Sequence, residues 1–381
     1  MKNFPKKLQQ KLDNRIADNA LRQLVTQNNL VDFSSNDYLG FSINETLFKN
    51  THQYLTENNL NKNGATGSRL LTGNHSLYKI VETQLSQCHN SENALLFNSG
   101  YDANLGFFSS VPQRGDIIFY DEYIHASIRD GITMSHAKAY KFKHNDIETL
   151  AQKCREQDKN NEDINIYVVT ESVFSMDGDS PNLKALAILC AEHNYHLIID
   201  EAHALGVFGT NGVGLVQALE IEQLVFARIV TFGKAMGCHG AAILGSTTLK
   251  NYLVNFSRTF IYTTGLPPHS VATIKTAYNE LLQTKAITQL KQNIAFFKSE
   301  IEKNQLQRLF IDSNSAIQCC IITGNNTVKA IAKTIQENRF SVKPILSPTV
   351  PKGQERLRFC LHAYNSKKEI SEVLSLLSTF V

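Results

Sequence analysis

A lysine at position 234 stands in the apolar, glycine-flanked run VTFGKAMGCHG (230–240), where the pattern predicts burial. An unpaired ammonium is costly away from water, so such a lysine has a displaced pKa, a partner or a covalent fate. Asp200 closes a second apolar run, YHLIIDEAH, and His203 follows three residues later. A third stretch, LLFNSGYDANLGFF, reads as a strand, a glycine turn and a helix start, a geometry that points backbone N–H groups at a bound anion such as a phosphate. Each feature alone has an ordinary explanation: a salt-bridged lysine, a helix-capping aspartate, a plain strand-to-helix turn. Together they suit one chemistry. An apolar site lowers a lysine's pKa so that the neutral amine can attack an aldehyde, and an aspartate can hold a pyridine nitrogen protonated. The glycine turn, with Thr231, can grip a phosphate. That set describes a site for pyridoxal 5′-phosphate (PLP).

These residues need a sheet to bring them together. Six apolar runs read as strands: NALLFNSG, DIIFYD, INIYVVTES, YHLIIDEAH, ARIVTFGK and GAAILGS. Continuous apolar runs with polar C-terminal ends predict parallel strands buried on both faces, and intervening helical patterns such as SPNLKALAILCAEHN supply crossovers. The class is therefore α/β. Ligands gather at the carboxyl ends of such strands, so Ser99–Tyr101, Asp121, Glu171, Ser175, Asp200, His203, Thr231 and Lys234 are the places to look. The expected divisions are an N-terminal helix and extended segment over 1–40, a large domain over 41–278, and a smaller α+β domain over 279–381. Leu8, Leu12 and Ile16 recur every four residues and predict an amphipathic first helix. Arg356 and Arg358 alternate with Leu357 on a strand candidate, and one of the two is expected to face solvent.

Composition narrows the classes. A net charge of +3 over 381 residues, spread thinly, excludes the dense basic stripe of a nucleic-acid binder. No apolar run approaches the length of a membrane span. Seven cysteines without a C-x-x-C pair indicate neither a disulfide framework nor a zinc site, and a reducing cytoplasm fits them. The letters DEAH evoke a helicase, but no G-x-x-x-x-G-K-[ST] loop accompanies them, and no G-x-G-x-x-G supports a dinucleotide site.

The motifs TFGKAMGCHGAAI, TESVFSMDGD, DEAHALGVFG, SSNDYLGF and GSRLLTGNHSLYKIVE resemble those of the α-oxoamine synthases, in order and over nearly the whole chain. The resemblance implies a PLP-dependent transferase of fold type I: a mostly parallel central sheet in a large domain, with a smaller α+β C-terminal domain. It implies Lys234 as the Schiff-base lysine, Asp200 at the pyridine nitrogen, His203 at the ring hydroxyl and His125 stacked on the ring. Gly100, Tyr101, Ser175 and Thr231 match cofactor and phosphate contacts. Arg358 matches the arginine that holds a substrate carboxylate, and Arg22, Asn36 and Thr349 match further substrate contacts. SRLLTGN, IYTTGLPP and SPTVPKGQERLRFCLHA point to the branch that condenses L-alanine with a pimeloyl thioester, carried by CoA or acyl carrier protein. Sister activities use glycine or serine with another acyl-CoA, and a different class altogether would be a non-catalytic PLP-fold binding protein. The family resemblance further implies a homodimer in which Thr263 or Thr264 completes the neighbour's phosphate site. Two departures stand out: the segment between Arg22 and DFSSNDY is shorter than is usual in the family, and Ala204 replaces a common glycine.

Overall fold

The computed structural model describes residues 4–24, 29–157 and 164–381. In chain order the strands are β1 (Val31–Asp32), β2 (Asn93–Phe97), β3 (Ile117–Asp121), β4 (Lys138–Phe142), β5 (Ile166–Glu171), β6 (His196–Asp200), β7 (Ala227–Thr231), β8 (Ala241–Gly245), β9 (Ile317–Ile321), β10 (Phe340–Ser341), β11 (Lys343–Ile345) and β12 (Arg356–Cys360). Residues 36–175 and 180–287 form one compact unit; residues 1–35, 176–179 and 288–381 form another.

The larger unit is built on a seven-stranded sheet of order β2-β8-β7-β6-β5-β3-β4. Pairs β4–β3, β3–β5, β5–β6 and β6–β7 are parallel, whereas β8 runs antiparallel to both β7 and β2. The apolar runs are continuous because both faces are covered. Val169, Ile198 and Ile229 belong to one hydrophobic cluster, while Val168, Leu197 and Ile199 belong to the cluster on the other face. β4 has no apolar run to announce it. Lys138, Ala139, Tyr140 and Lys141 are exposed on it, the dressing of an edge strand whose lysines discourage further pairing.

Period-two alternation decides what the strand ends present. Glu171 pairs with Asp200, and Asp200 with Ile229, so Glu171, Asp200 and Thr231 share the face of Val169, Ile198 and Ile229. That face is roofed by helices Gly100–Phe108 and Ala126–Met134, which contribute Ala103, Phe107, Phe108, Ile128 and Ile132 to its cluster. Each helix starts on a side-chain cap: Ser99 Oγ accepts from the Asp102 amide at 3.0 Å, and His125 Nδ1 from the Ser127 amide at 3.2 Å.

The smaller unit contains an antiparallel sheet of order β11-β12-β9 and the short parallel pair β1–β10. Phe297, Phe310 and Phe359 pack ring against ring at its centre, with Phe33 against Phe359. Helix Lys367–Leu377 begins with a reciprocal cap, Ser366 accepting from the Glu369 amide and Glu369 from the Ser366 amide. The expectation that one of Arg356 and Arg358 faces solvent is overturned: Arg356 is 1% and Arg358 7% exposed. Two residues apart, they share one face of β12, the middle strand of its sheet, and that face is covered. Arg356 donates to the Met176 carbonyl at 3.0 Å and to the Asp177 carboxylate, so it ties the 176–179 segment to β12. The first helix, Lys6–Ala17, forms as its spacing predicts, yet none of its residues is buried.

Candidate active site

A cavity of about 250 Å³ opens over the carboxyl ends of β5, β6 and β7, lined among others by His125, Glu171, Asp200, Thr231 and Lys234. Lys234 lies in the turn that joins β7 to β8 and is half-buried, not enclosed as its apolar surroundings predict. It has a partner. Its Nζ is 2.8 Å from His203 Nε2, and His203 Nδ1 is 2.7 Å from the hydroxyl of the fully buried Tyr38. Tyr38 donates to Asn36 Oδ1 at 3.2 Å. With that proton committed, the relay has one consistent direction: Lys234 donates to His203 Nε2, and His203 Nδ1–H donates to Tyr38. Sequence reasoning assigned His203 but not Tyr38, which lies 165 residues away in the chain.

Asp200 is buried and oriented from two sides. Its Oδ1 accepts from the Ala202 amide at 2.9 Å and its Oδ2 from Asn104 Nδ2 at 2.9 Å. Asn104 Nδ2 also lies 3.0 Å from Ser127 Oγ, which is 2.8 Å from His125 Nδ1. Because His125 Nδ1 accepts from the Ser127 amide, its ring proton sits on Nε2. The His125 pKa is lowered, first by desolvation and then by the Lys234 charge, with Asp200 pulling the other way; the neutral ring is therefore favoured. Asn104, one turn into its helix, joins Asp200 to His125, and no sequence motif marked it.

Glu171 is a further carboxyl in the cavity wall. It is buried, accepts the His125 amide at 2.6 Å and sits beside Asp200 across the ladder. Burial, then the Asp200 charge, raises its pKa well above the usual 4.5. Its strand-end position made it visible in the sequence, but no role attached to it there.

At the other end of the cavity Gly100 opens helix Gly100–Phe108 where a Cβ would lie 2.5 Å from Thr231 Cγ2, so only glycine permits this approach. The first amides of a helix have no intrahelical acceptor, and Gly100 and Tyr101 line the cavity at that terminus. Thr231 Oγ1 is buried without a hydrogen-bond partner among the described residues, and so is Asn104 Oδ1. A buried hydroxyl left unpaired is unfavourable unless a ligand meets it. Helix amides and an orphan hydroxyl at one end, with a buried carboxylate and a primary amine at the other, fit a phosphorylated, ring-nitrogen aldehyde such as PLP.

Asn36 lines the cavity; Ser175 is half-buried and does not. The Tyr101 ring is 46% exposed and its hydroxyl donates to Asp130. Thr263 Oγ1 accepts from Asn98 of its own chain at 3.0 Å, and Thr264 is exposed. In the other unit Arg22 and Thr349 are exposed, while Arg358 Nη1 lies 2.8 Å from Cys360 Sγ. Among the described residues no group of His, Cys, Asp and Glu could hold a metal, and no helix is long and apolar enough to cross a membrane.

Comparison with known proteins agrees with this chemistry. Residues 28–377 match the family "aminotransferase class I and II". The chain is similar to an 8-amino-7-oxononanoate synthase of Emericella nidulans, with 37% identity over 367 residues that cover 92% of this chain and 89% of that protein. Its structure is similar to that of an 8-amino-7-oxononanoate synthase from Francisella tularensis, with a TM-score of 0.78, 30% identity, and coverage of 92% and 97% of the two chains. A serine palmitoyltransferase variant from S. paucimobilis with a bound PLP–myriocin aldimine superposes with a TM-score of 0.87 over 98% of this chain and 96% of that one. At 23% identity that likeness bears on the fold alone.

Proposed function

The chain belongs to the class I and II aminotransferase family, in its α-oxoamine synthase group, and on that premise we propose that it condenses L-alanine with a pimeloyl thioester, releasing CO2, free thiol and 8-amino-7-oxononanoate for biotin biosynthesis. The observation that carries the reaction class is the convergence of Lys234, Asp200 and the orphan Thr231 hydroxyl on one cavity. The synthase relatives support the choice of alanine and pimeloyl thioester.

When bound, PLP supplies an electron sink for carbanion formation and decarboxylation at the substrate Cα. The chain does the rest. Lys234 would hold the aldehyde through its amine and would serve as the base for the substrate Cα proton. Its bond to His203 keeps the amine in place. Asp200, fixed by Asn104 and the Ala202 amide, holds the ring nitrogen protonated, and His203 serves the ring hydroxyl. His125, in the cavity wall, would lie against the ring, and its Nε2–H would polarise the incoming thioester carbonyl. Gly100, Tyr101, Ser175 and Thr231 hold the phosphate side. Arg358 takes the alanine carboxylate, with Arg22, Asn36 and Thr349 as further substrate contacts. In this reading the protein is a homodimer, with Thr263 or Thr264 reaching the neighbour's phosphate.

The test is product analysis by mass spectrometry over a matrix of alanine, glycine and serine against pimeloyl-CoA, pimeloyl acyl carrier protein and other acyl thioesters. Alanine with a pimeloyl thioester should give 8-amino-7-oxononanoate. Borohydride should fix PLP on Lys234, and Lys234→Ala should lower turnover by at least ~10⁴-fold, since anchor and base are lost together. Preference for glycine or serine with another acyl group would move the protein to a sister activity, and a reduced label on another lysine would refute the site.

A further inference from the structure

We propose that His239 is a ligand of the phosphate end of this site, an inference that rests on the PLP reading of the cavity. Topology places it there. β8 lies between β2 and β7 and runs antiparallel to both, so its start meets their ends at one edge of the sheet. Phe97 and Thr231 both pair with Ala241. His239, two residues before Ala241, therefore falls between the Asn98–Gly100 turn and the turn carrying Lys234. Gly240 draws the three segments together: its carbonyl accepts from the Phe232 amide at 2.9 Å, and a Cβ on it would come 3.3 Å from the Phe97 carbonyl. His239 accordingly lines the same cavity as Ser99, Gly100, Tyr101 and Thr231.

Charge gives it a task. A phosphate monoester carries about −1.5 to −2 charge at neutral pH. The other groups at this end, the Gly100 and Tyr101 amides and the Thr231 hydroxyl, offer dipoles without net charge. No arginine is among the residues lining the cavity. Of the basic side chains that do line it, Lys234 is engaged with His203 and His125 Nδ1 with Ser127. His239 is exposed and makes no hydrogen bond to another described residue, so its ring is available to a ligand. Glu171 and Asp200 lie on β5 and β6, on the far side of β7 from His239, where they do not compete with a phosphate for it. A charge-assisted bond between this imidazole and the phosphate supplies the unengaged basic side chain that the phosphate end otherwise lacks.

The experiment compares PLP with pyridoxal, which has the same ring and aldehyde but no phosphate. Dissociation constants for both are measured by absorbance titration of the cofactor-free full chain, for the unaltered protein, His239→Ala, His239→Gln and His239→Lys. His239→Ala and His239→Gln should bind PLP roughly ten- to hundred-fold more weakly and pyridoxal unchanged, while His239→Lys restores most of the loss. Inorganic phosphate should compete with PLP on the unaltered protein and less on His239→Ala. Unchanged unfolding midpoints of the cofactor-free variants would exclude a folding defect, and His239→Gln serves if the alanine variant is unstable. Equal PLP affinity across the series would overturn the proposal, as would parallel losses for PLP and pyridoxal. Failure of the unaltered chain to take up PLP would instead refute the cofactor reading, a result visible before any substitution.

Discussion

Two polar clusters occupy opposite faces of the sheet along β6 and β7. Asp200 and Thr231, at the strand ends, face the cavity; Glu201, next after Asp200, and Arg228, near the start of β7, face the other way. On that second face the ion pair is closed. Arg228 Nε and Nη2 donate to Glu201 Oε2 at 2.9 and 2.6 Å, Arg228 Nη1 donates to the His89 carbonyl at 2.8 Å, and Glu201 Oε1 accepts from the Val216 amide at 2.9 Å. His89 Nε2 lies 2.7 Å from the Tyr278 hydroxyl, and Arg228 and Glu201 are only 3% and 0% exposed. On the cavity face Thr231 Oγ1 and Asn104 Oδ1 have no partner among the described residues, and Glu171 is pushed toward its neutral form. The same two strands thus support a satisfied network that fixes structure and an unsatisfied one built for a ligand. Satisfaction of hydrogen bonds, rather than residue type, separates the two.

The largest effect that would break this contrast lies on the closed face. Arg228→Ala leaves Glu201 buried and unpaired and should destabilise the protein by about 3–5 kcal/mol in urea unfolding. The double variant Arg228→Met with Glu201→Leu should lose much less, because no charge is then stranded. A single-variant loss under ~1 kcal/mol would mean the network is not what holds this face.

Thr231→Val tests the open face. The valine keeps the shape and removes an unpaired hydroxyl, so the cofactor-free protein should be as stable as before or gain ~1 kcal/mol. PLP should nevertheless be held about ten-fold more weakly, the value of one lost hydrogen bond. Destabilisation of the cofactor-free form by more than ~1 kcal/mol would show that the hydroxyl already has a structural partner.

The smallest effect sharpens the comparison through pH. Glu171 keeps its proton in the folded chain above the ordinary 4.5, whereas the unfolded chain releases it there. The folded state then binds more protons, so stability falls as pH rises from about 4.5 toward the raised folded value. Glu171→Gln should flatten that slope and add on the order of 1 kcal/mol at neutral pH. His89, on the closed face, acts with the opposite sign. Burial first, then Arg228, hold its pKa well below 6.5, so stability falls as pH drops below about 6.5, where the unfolded chain takes up the proton. In urea titrations across pH 5–8, Glu171→Gln should remove the component of stability that falls as pH rises and leave the His89 component, which falls as pH drops.

The sequence by itself determined the parts that rest on local pattern. Six apolar runs with polar ends marked six of the seven strands of the large sheet, because a strand buried on both faces needs no partner to be recognised. The same runs marked Asp200, Thr231 and Lys234 as neighbours, since parallel strands align their carboxyl ends. Tertiary structure decided whatever depends on pairing across the chain. β4 carries an edge strand's exposed lysines, and only its ladder with β3 identifies it. Period two puts Arg356 and Arg358, two residues apart, on one face of β12 but does not tell that this face is covered. Tyr38 reaches His203 and Asn104 reaches Asp200 across 165 and 96 residues of chain, and Glu171 keeps its proton because burial and the Asp200 charge raise its pKa. A hydrogen bond or a desolvated carboxyl belongs to the space around a residue, and side-chain periodicity specifies which way a residue points without specifying what it meets.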